Sequence, residues 1–281
     1  MRIDYKTLED AYKFLSSHWA GVRPSMGMIL GSGWSAVVKA FEEVDSVPFS
    51  KIPGLGDAGV QGHAGLVSLV KTEGEHIIVF QGRRHFYEGV GWTPIALPIY
   101  LFKRFGCKSV LLSNACGGIA SHLKPGDIVV VRDHITNMID NPLIGPHNPI
   151  WGERFPDMTY VYTPELRAKV IEVGKKLDEE ISEGIYFMSP GPAYETPAQV
   201  KLARTLGADI IGMSTVPEAT LTRAAGMNCV CVVCITNLAA GISKTELSHK
   251  EVIEVSALAT SRLQALLVEF TRSFFKSQPE A

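Results

Sequence analysis

The chain has 281 residues, 46% of them apolar and 20% charged, a globular composition with enough length to bury a sizeable core. Its 27 Lys and Arg against 29 Asp and Glu leave a formal charge of −2, so no field draws it onto nucleic acid or an anionic membrane, and a small neutral or anionic ligand fits better. The opening MRIDYKTLEDAYKF mixes acids and bases where a signal peptide needs an apolar core, and no run reaches the roughly 18 apolar residues of a membrane span, so a cytoplasmic protein is expected.

Leu8, Ala11, Tyr12, Leu15 and Trp19 recur at helical spacing behind the candidate caps Asp4 and Thr7, which predicts an amphipathic first helix. GMIL then reads as a strand running through the turn GSG into a helix WSAVVKAF. GLVSLV and HIIVF are strands, TPIALPIYLFKRFG a helix with Pro94 in its first turn and Gly106 at its end, and SVLLSN a buried strand. After the strand DIVVVRD comes a Pro/Asn/Gly-rich segment, 137–163, too long for a mere connector and so expected to be a functional or interface loop. PELRAKVIEVGKKL, PAQVKLARTLG and PEATLTRAAG read as helices, GIYFMSP, DIIGM and NCVCVVCIT as strands, and the stretch from SHKEV to RSF as a terminal helix. No repeat or Ser/Gly linker marks a boundary, so residues 1–281 are expected to form one α/β domain.

Polar groups and glycines gather where strands end: LGSGWS, QGRRHFYEG, SNACGG, SPGPAYET, GMSTVPE and ITNLAAG. If the strands are mainly parallel, those ends lie along one sheet edge and the loops converge on one site. GSG with Ser32 offers backbone N–H groups and a hydroxyl to an anion, and the arginines of QGRRHFYEG offer planar forks of donors. GSGWSA also meets a loose dinucleotide fingerprint, but that signature needs an acid ending a second strand about 20 residues on. Here that region reads SVPFSKIPGLGDAG, whose prolines and glycines spoil the strand before Asp57. Cys229, Cys231 and Cys234 lack the turn of a zinc knuckle; on a strand the first two face one side and the third the other, as buried free thiols.

The ordered set GSG, GHAG, GRRHFYEG, NACGG, GPAYET, GMSTVPE, ITN and SH, spanning the chain from about Met26 to the last helix, resembles the trimeric, low-molecular-mass purine nucleoside phosphorylases. The resemblance implies a single α/β domain with a mixed, partly barrel-like central sheet flanked by helices, assembled as a homotrimer. It also implies the reaction of a purine nucleoside with inorganic phosphate to give free base and (deoxy)ribose 1-phosphate, without cofactor or metal. Carried over by motif, Ser32, His63, Arg83, His85, Asn114, Ala115 and Ser214 fall at phosphate-binding positions. Tyr87, Met213 and His249 fall at the ribose, with Phe155 reaching a neighbouring subunit's ribose. Tyr194, Glu195, Asn237, Cys116 and Gly117 fall at the base.

The base-site residues make chemical sense beside the resemblance. A 6-oxopurine carries a proton on N1 that a carboxylate accepts, whereas adenine presents a bare lone pair there. An amide at Asn237 can stabilise the charge that grows on the purine as the glycosidic bond breaks. Taken alone, Met213 and Tyr194 read as core packing, Glu195 as a partner in a helix cap before TPAQV, and His63 as a loop histidine. Cys116, Arg84 and Leu238 depart from many relatives and bear on base preference. Methylthioadenosine phosphorylases share the expected chemistry but carry an acid at the Asn237 position and an apolar residue at that of His249. A xanthosine-preferring phosphorylase and a non-catalytic nucleoside binder are further alternatives; a pure binder has no use for the full phosphate set.

Overall fold

A computed structural model describes residues 2–57, 59, 63–136, 140–243 and 246–277, with backbone only for 249–251. Among the described residues nine strands form one mixed sheet in the order β2-β3-β4-β1-β5-β8-β7-β6-β9. They are β1 (Met26–Leu30), β2 (Glu42–Pro48), β3 (Leu66–Thr72), β4 (Glu75–Gln81), β5 (Ser109–Gly118), β6 (Ile128–Ile135), β7 (Ile181–Met188), β8 (Ile210–Gly212) and β9 (Asn228–Leu238). β5 also pairs in parallel with β9. That pairing closes β5, β8, β7, β6 and β9 into a ring, a barrel-like half from which β1 to β4 extend as an open arm.

The helices are α1 (Tyr5–His18), α2 (Thr93–Phe105), α3 (Pro164–Lys176), α4 (Pro197–Thr205), α5 (Val216–Ala224) and α6 (His249–Lys276). Their ends follow the sequence signals. The Asp4 carboxylate accepts from the Lys6 and Thr7 backbone N–H groups at 3.0 and 3.3 Å, and α2 stops at Gly106 in the left-handed region. Helices α1, α2 and α5 cover one sheet face through Leu8, Leu15, Leu97, Phe102 and Leu221, while α3 and α6 cover the other through Val170, Leu263 and Phe270. Cys229 and Cys231 join the first core and Cys234 the second, all free and buried, as strand alternation requires. Among the described residues no helix is long and apolar enough to cross a membrane.

Two expectations are corrected. WSAVVKAF forms a 3-10 helix over Ser35–Ala40 rather than an α-helix: the Val37 and Phe41 N–H groups donate three residues back, to Trp34 and Val38, and the chain enters β2 at Glu42 before a longer helix can build. A strand was missed at Glu42–Pro48, where mostly exposed acidic residues hide the β pattern. β2 runs antiparallel to β3, so the parallel second strand of a dinucleotide fold does not follow the GSG turn.

Candidate active site

The strand-end loops converge as expected. One cavity is lined from β5 by Asn114, Ala115, Cys116 and Gly117, from β8 and its loop by Ile211 to Ser214, and from β9 by Thr236 and Asn237. Ser32 after β1, His85 and Tyr87 after β4, and Tyr194 and Glu195 after β7 join the wall, with Ala239, Leu247 and Val252 after β9. Close approach demands the glycine at 31, where a Cβ would come within 2.8 Å of the Ser113 carbonyl.

At one end of the cavity sit the expected anion ligands. The Ser32 hydroxyl lies 3.3 Å from His63 Nε2, while His63 Nδ1 accepts the Arg83 backbone N–H at 3.2 Å. With Nδ1 serving as acceptor, the proton of the neutral ring is on Nε2 and is donated to Ser32, which leaves the serine's own hydrogen free for a ligand. Burial, followed by the charges of His85 and Arg83, holds the His63 pKa down at about 3. The rings of His63, His85 and Tyr87 stack in series at centroid distances of 5.4 and 4.8 Å. His85 Nδ1 lies 3.1 Å from the Glu88 carboxylate, which also accepts the His85 N–H at 2.6 Å and Arg84 Nε at 2.7 Å. Burial opposes ionisation of Glu88, yet these bonds from His85 and Arg84 bring its pKa down to about 2, so the carboxylate fixes the imidazole and leaves Nε2 for the ligand. His85 is itself shifted down by burial.

Ser214 belongs to a tight turn. Thr215 has φ 78° and ψ −46°, and the Val216 N–H donates back to the Ser214 carbonyl at 2.9 Å, the pattern of a γ-turn with positive φ. A β-branched residue in this region is strained, and strain of this kind gathers at binding sites.

Elsewhere in the wall Glu195 is buried at 8% exposure, and its Oε1 has no hydrogen-bond partner among the described residues. The cap of α4 is made by Thr196 and Gln199, so Glu195 is not the capping residue. Asn237 has a fixed orientation: Nδ2 donates to the Leu238 carbonyl at 3.1 Å and Oδ1 accepts from Thr236 Oγ1 at 3.0 Å. Since a carbonyl only accepts, the nitrogen must be the atom facing Leu238. Burial pushes the Tyr87 hydroxyl up to about 12 and the Cys116 thiol well above its usual range, so both stay neutral.

Four expected residues stand apart from this wall. His63 acts from behind Ser32. Arg83, 2% exposed, turns into the core: its guanidinium donates to Glu218 at 3.3 Å, to the Ile29 carbonyl at 3.3 Å, to Thr215 Oγ1 at 3.4 Å and to the Ser113 carbonyl. Phe155 is 89% exposed and does not line the cavity of its own chain. The His249 side chain lies outside the described residues, although its flanking neighbours Leu247 and Val252 line the cavity.

Sequence reasoning missed Ile211, Gly212, Thr236, Ala239, Leu247 and Val252. For Thr236 the cause is a bulge: Cys116 pairs with Ile235 and Gly117 with Asn237, so Thr236 is left over and strict alternation fails where the strand meets the cavity.

A family model for the phosphorylase superfamily matches residues 25–272. Purine nucleoside phosphorylase 1 of Geobacillus stearothermophilus is 38% identical over 270 residues, covering 96% of this chain and 97% of that protein. The solved structure of Schistosoma mansoni purine nucleoside phosphorylase in complex with adenosine is similar at a TM-score of 0.89 and 29% identity, covering 100% of both chains. The same protein in complex with inosine gives 0.88 at 28% identity, covering 100% of this chain and 99% of the other. Sequence, fold and the converged loops therefore agree that the chain belongs to the phosphorylase superfamily, among its purine nucleoside phosphorylases, which are pentosyltransferases.

Proposed function

We propose that the chain catalyses reversible phosphorolysis of 6-oxopurine ribo- and deoxyribonucleosides such as inosine and guanosine, giving the free base and (deoxy)ribose 1-phosphate. The observation that carries this reading is the buried Glu195 oxygen, without a partner among the described residues, in the same cavity as Ser32, His85 and Ser214. A buried acceptor without a donor is costly, and the N1–H of a 6-oxopurine is the donor that satisfies it. Adenine would set a lone pair against the carboxylate instead.

In this reading inorganic phosphate is the second substrate and sits between Ser32, His85, the Asn114–Ala115 stretch and Ser214. Arg83 adds positive charge from behind, partly neutralised by Glu218. Tyr87 and Met213 flank the sugar, and Tyr194, Cys116 and Gly117 bound the base. As the C1′–N9 bond breaks, its electron pair moves onto the purine and a phosphate oxygen bonds to C1′. The second Nδ2 hydrogen of Asn237 meets the charge gathering at N7 and O6, an interaction stronger in the transition state than in the bound nucleoside. The proton of hydrogen phosphate ends on the base. No metal or cofactor takes part.

The exposed apolar side chains Ile144 (65%), Phe155 and Tyr160 (60%) on the long segment before α3 support a homotrimer in which this segment docks on a second copy and carries Phe155 to its ribose. In this reading His249, whose chain neighbours Leu247 and Val252 line the cavity, meets the 5′-hydroxyl. A cytoplasmic setting suits a reaction on free nucleosides.

The test is a panel of inosine, guanosine, xanthosine and adenosine assayed for base release with and without phosphate. Release should require phosphate, and kcat/KM for inosine or guanosine should exceed that for adenosine by at least about tenfold, the worth of one buried polar mismatch. Undiminished release without phosphate would make the protein a hydrolase; adenosine equal to inosine would remove Glu195 as the discriminating group.

A further inference from the structure

Tyr186, on β7, is wholly buried and does not line the cavity, yet its hydroxyl holds two residues that do. Asn114 Nδ2 donates to it at 2.9 Å and the Ser214 backbone N–H at 3.3 Å. The directions are forced. Asn114 Oδ1 is occupied by the Ala115 N–H at 2.8 Å, so the amide end facing Tyr186 is the NH2, and a backbone N–H can only donate. The phenol oxygen therefore accepts twice, from Asn114 and from Ser214. Burial raises its pKa well above the usual tyrosine value, so its own proton stays on.

The surrounding backbone makes room for this one oxygen. A Cβ at position 212 would overlap the Tyr186 hydroxyl, so glycine is required there for the oxygen rather than for the turn. The two donors it holds come from different strands: Asn114 from β5, and Ser214 from the strained turn after β8. Both stand at the proposed phosphate end of the cavity, where the Arg83 guanidinium also ties their chain neighbours, Ser113 and Thr215, from behind, but Tyr186 alone of the two holds Asn114 and Ser214 themselves.

We infer that Tyr186 is a positioning residue for phosphate, whose hydroxyl sets the spacing between Asn114 and Ser214 without touching the ligand. The inference rests on the phosphate site proposed above. Substitution Tyr186→Phe keeps the ring and deletes the oxygen; the second variant, Gly212→Ala, keeps the oxygen and displaces it. Each is assayed for inosine cleavage with phosphate and nucleoside varied separately, alongside thermal melts by circular dichroism.

The expected result for Tyr186→Phe is a phosphate KM raised roughly tenfold or more, with the inosine KM at saturating phosphate within about twofold of the parent. Gly212→Ala should raise the phosphate KM in the same sense, whatever it does to the nucleoside. A folded Tyr186→Phe with unchanged phosphate KM overturns the inference, as does an equal rise in both constants. If Tyr186→Phe does not fold, Gly212→Ala decides by its phosphate KM. Failure of both to fold would assign the hydroxyl to the general fold and overturn the inference too. The parent protein's phosphate requirement is read in the same assays, so collapse of the phosphorylase reading is distinguishable from collapse of the role of Tyr186.

Discussion

His63 is a histidine used for its neutral form. Its Nδ1 takes a backbone N–H, its Nε2 supports Ser32, and burial, then the neighbouring His85 and Arg83, holds its pKa at about 3 against 6.5 for the free side chain. The unfolded chain therefore binds a proton between pH 6.5 and about 3 that the folded chain refuses. Stability from this site is complete above pH 6.5 and is lost as the pH falls through that window. His63→Gln should make urea stability less steep by about 1 kcal/mol per pH unit there. The slope should flatten without vanishing, since burial also lowers His85 and His134. Urea midpoints at pH 7, 6, 5 and 4 measure it, and identical slopes in parent and variant would mean that the ring is not desolvated.

The link between β4 and α5 shows what can and cannot be read from a sequence. QGRRHFYEG announces an anion site, and His85 and Tyr87 are found in the cavity wall. Arg84 and Phe86 point elsewhere, to Glu88 and to Trp92. Arg83, carried to the phosphate with His85 by the motif, is not in the wall: β4 ends at Gln81 and Gly82 takes φ 119°, so no strand alternation puts 83 and 85 on one side. Its guanidinium instead gathers carbonyls of β1 and β5 and the carboxylate of α5, contacts 30 to 135 residues apart that no local pattern announces. The element order was legible from hydrophobic period and caps; the register of β9 around its bulge was not, because a bulge is set by partners far along the chain. Glu218→Ala should destabilise the protein by about 3–5 kcal/mol, the cost of leaving a buried guanidinium uncompensated. Denaturant unfolding checks it, and a loss below about 1 kcal/mol would show that Arg83 draws its compensation from solvent.

For the whole molecule, the exposed trio Ile144, Phe155 and Tyr160 predicts association. Light scattering should give three times the 30.6 kDa chain mass, and Phe155→Asp with Tyr160→Asp should shift the mass toward one chain and raise the nucleoside KM. A parent of single-chain mass would leave those residues without a partner. The ring closed by β5 and β9 bears on a different property, the protein's colloidal behaviour. Closure consumes the boundary strands of half the sheet, and among the described residues β2 alone is hydrogen-bonded on one side only. The aggregation hazard of nine strands is thereby confined to seven residues, Glu42–Pro48. Those residues repel a would-be neighbour in three ways: the charges of Glu42, Glu43 and Asp45, an irregularity in pairing at Val44, and a terminal proline that offers no donor. The same acids that hid this strand from a hydrophobic reading keep two copies of the sheet from joining edge to edge.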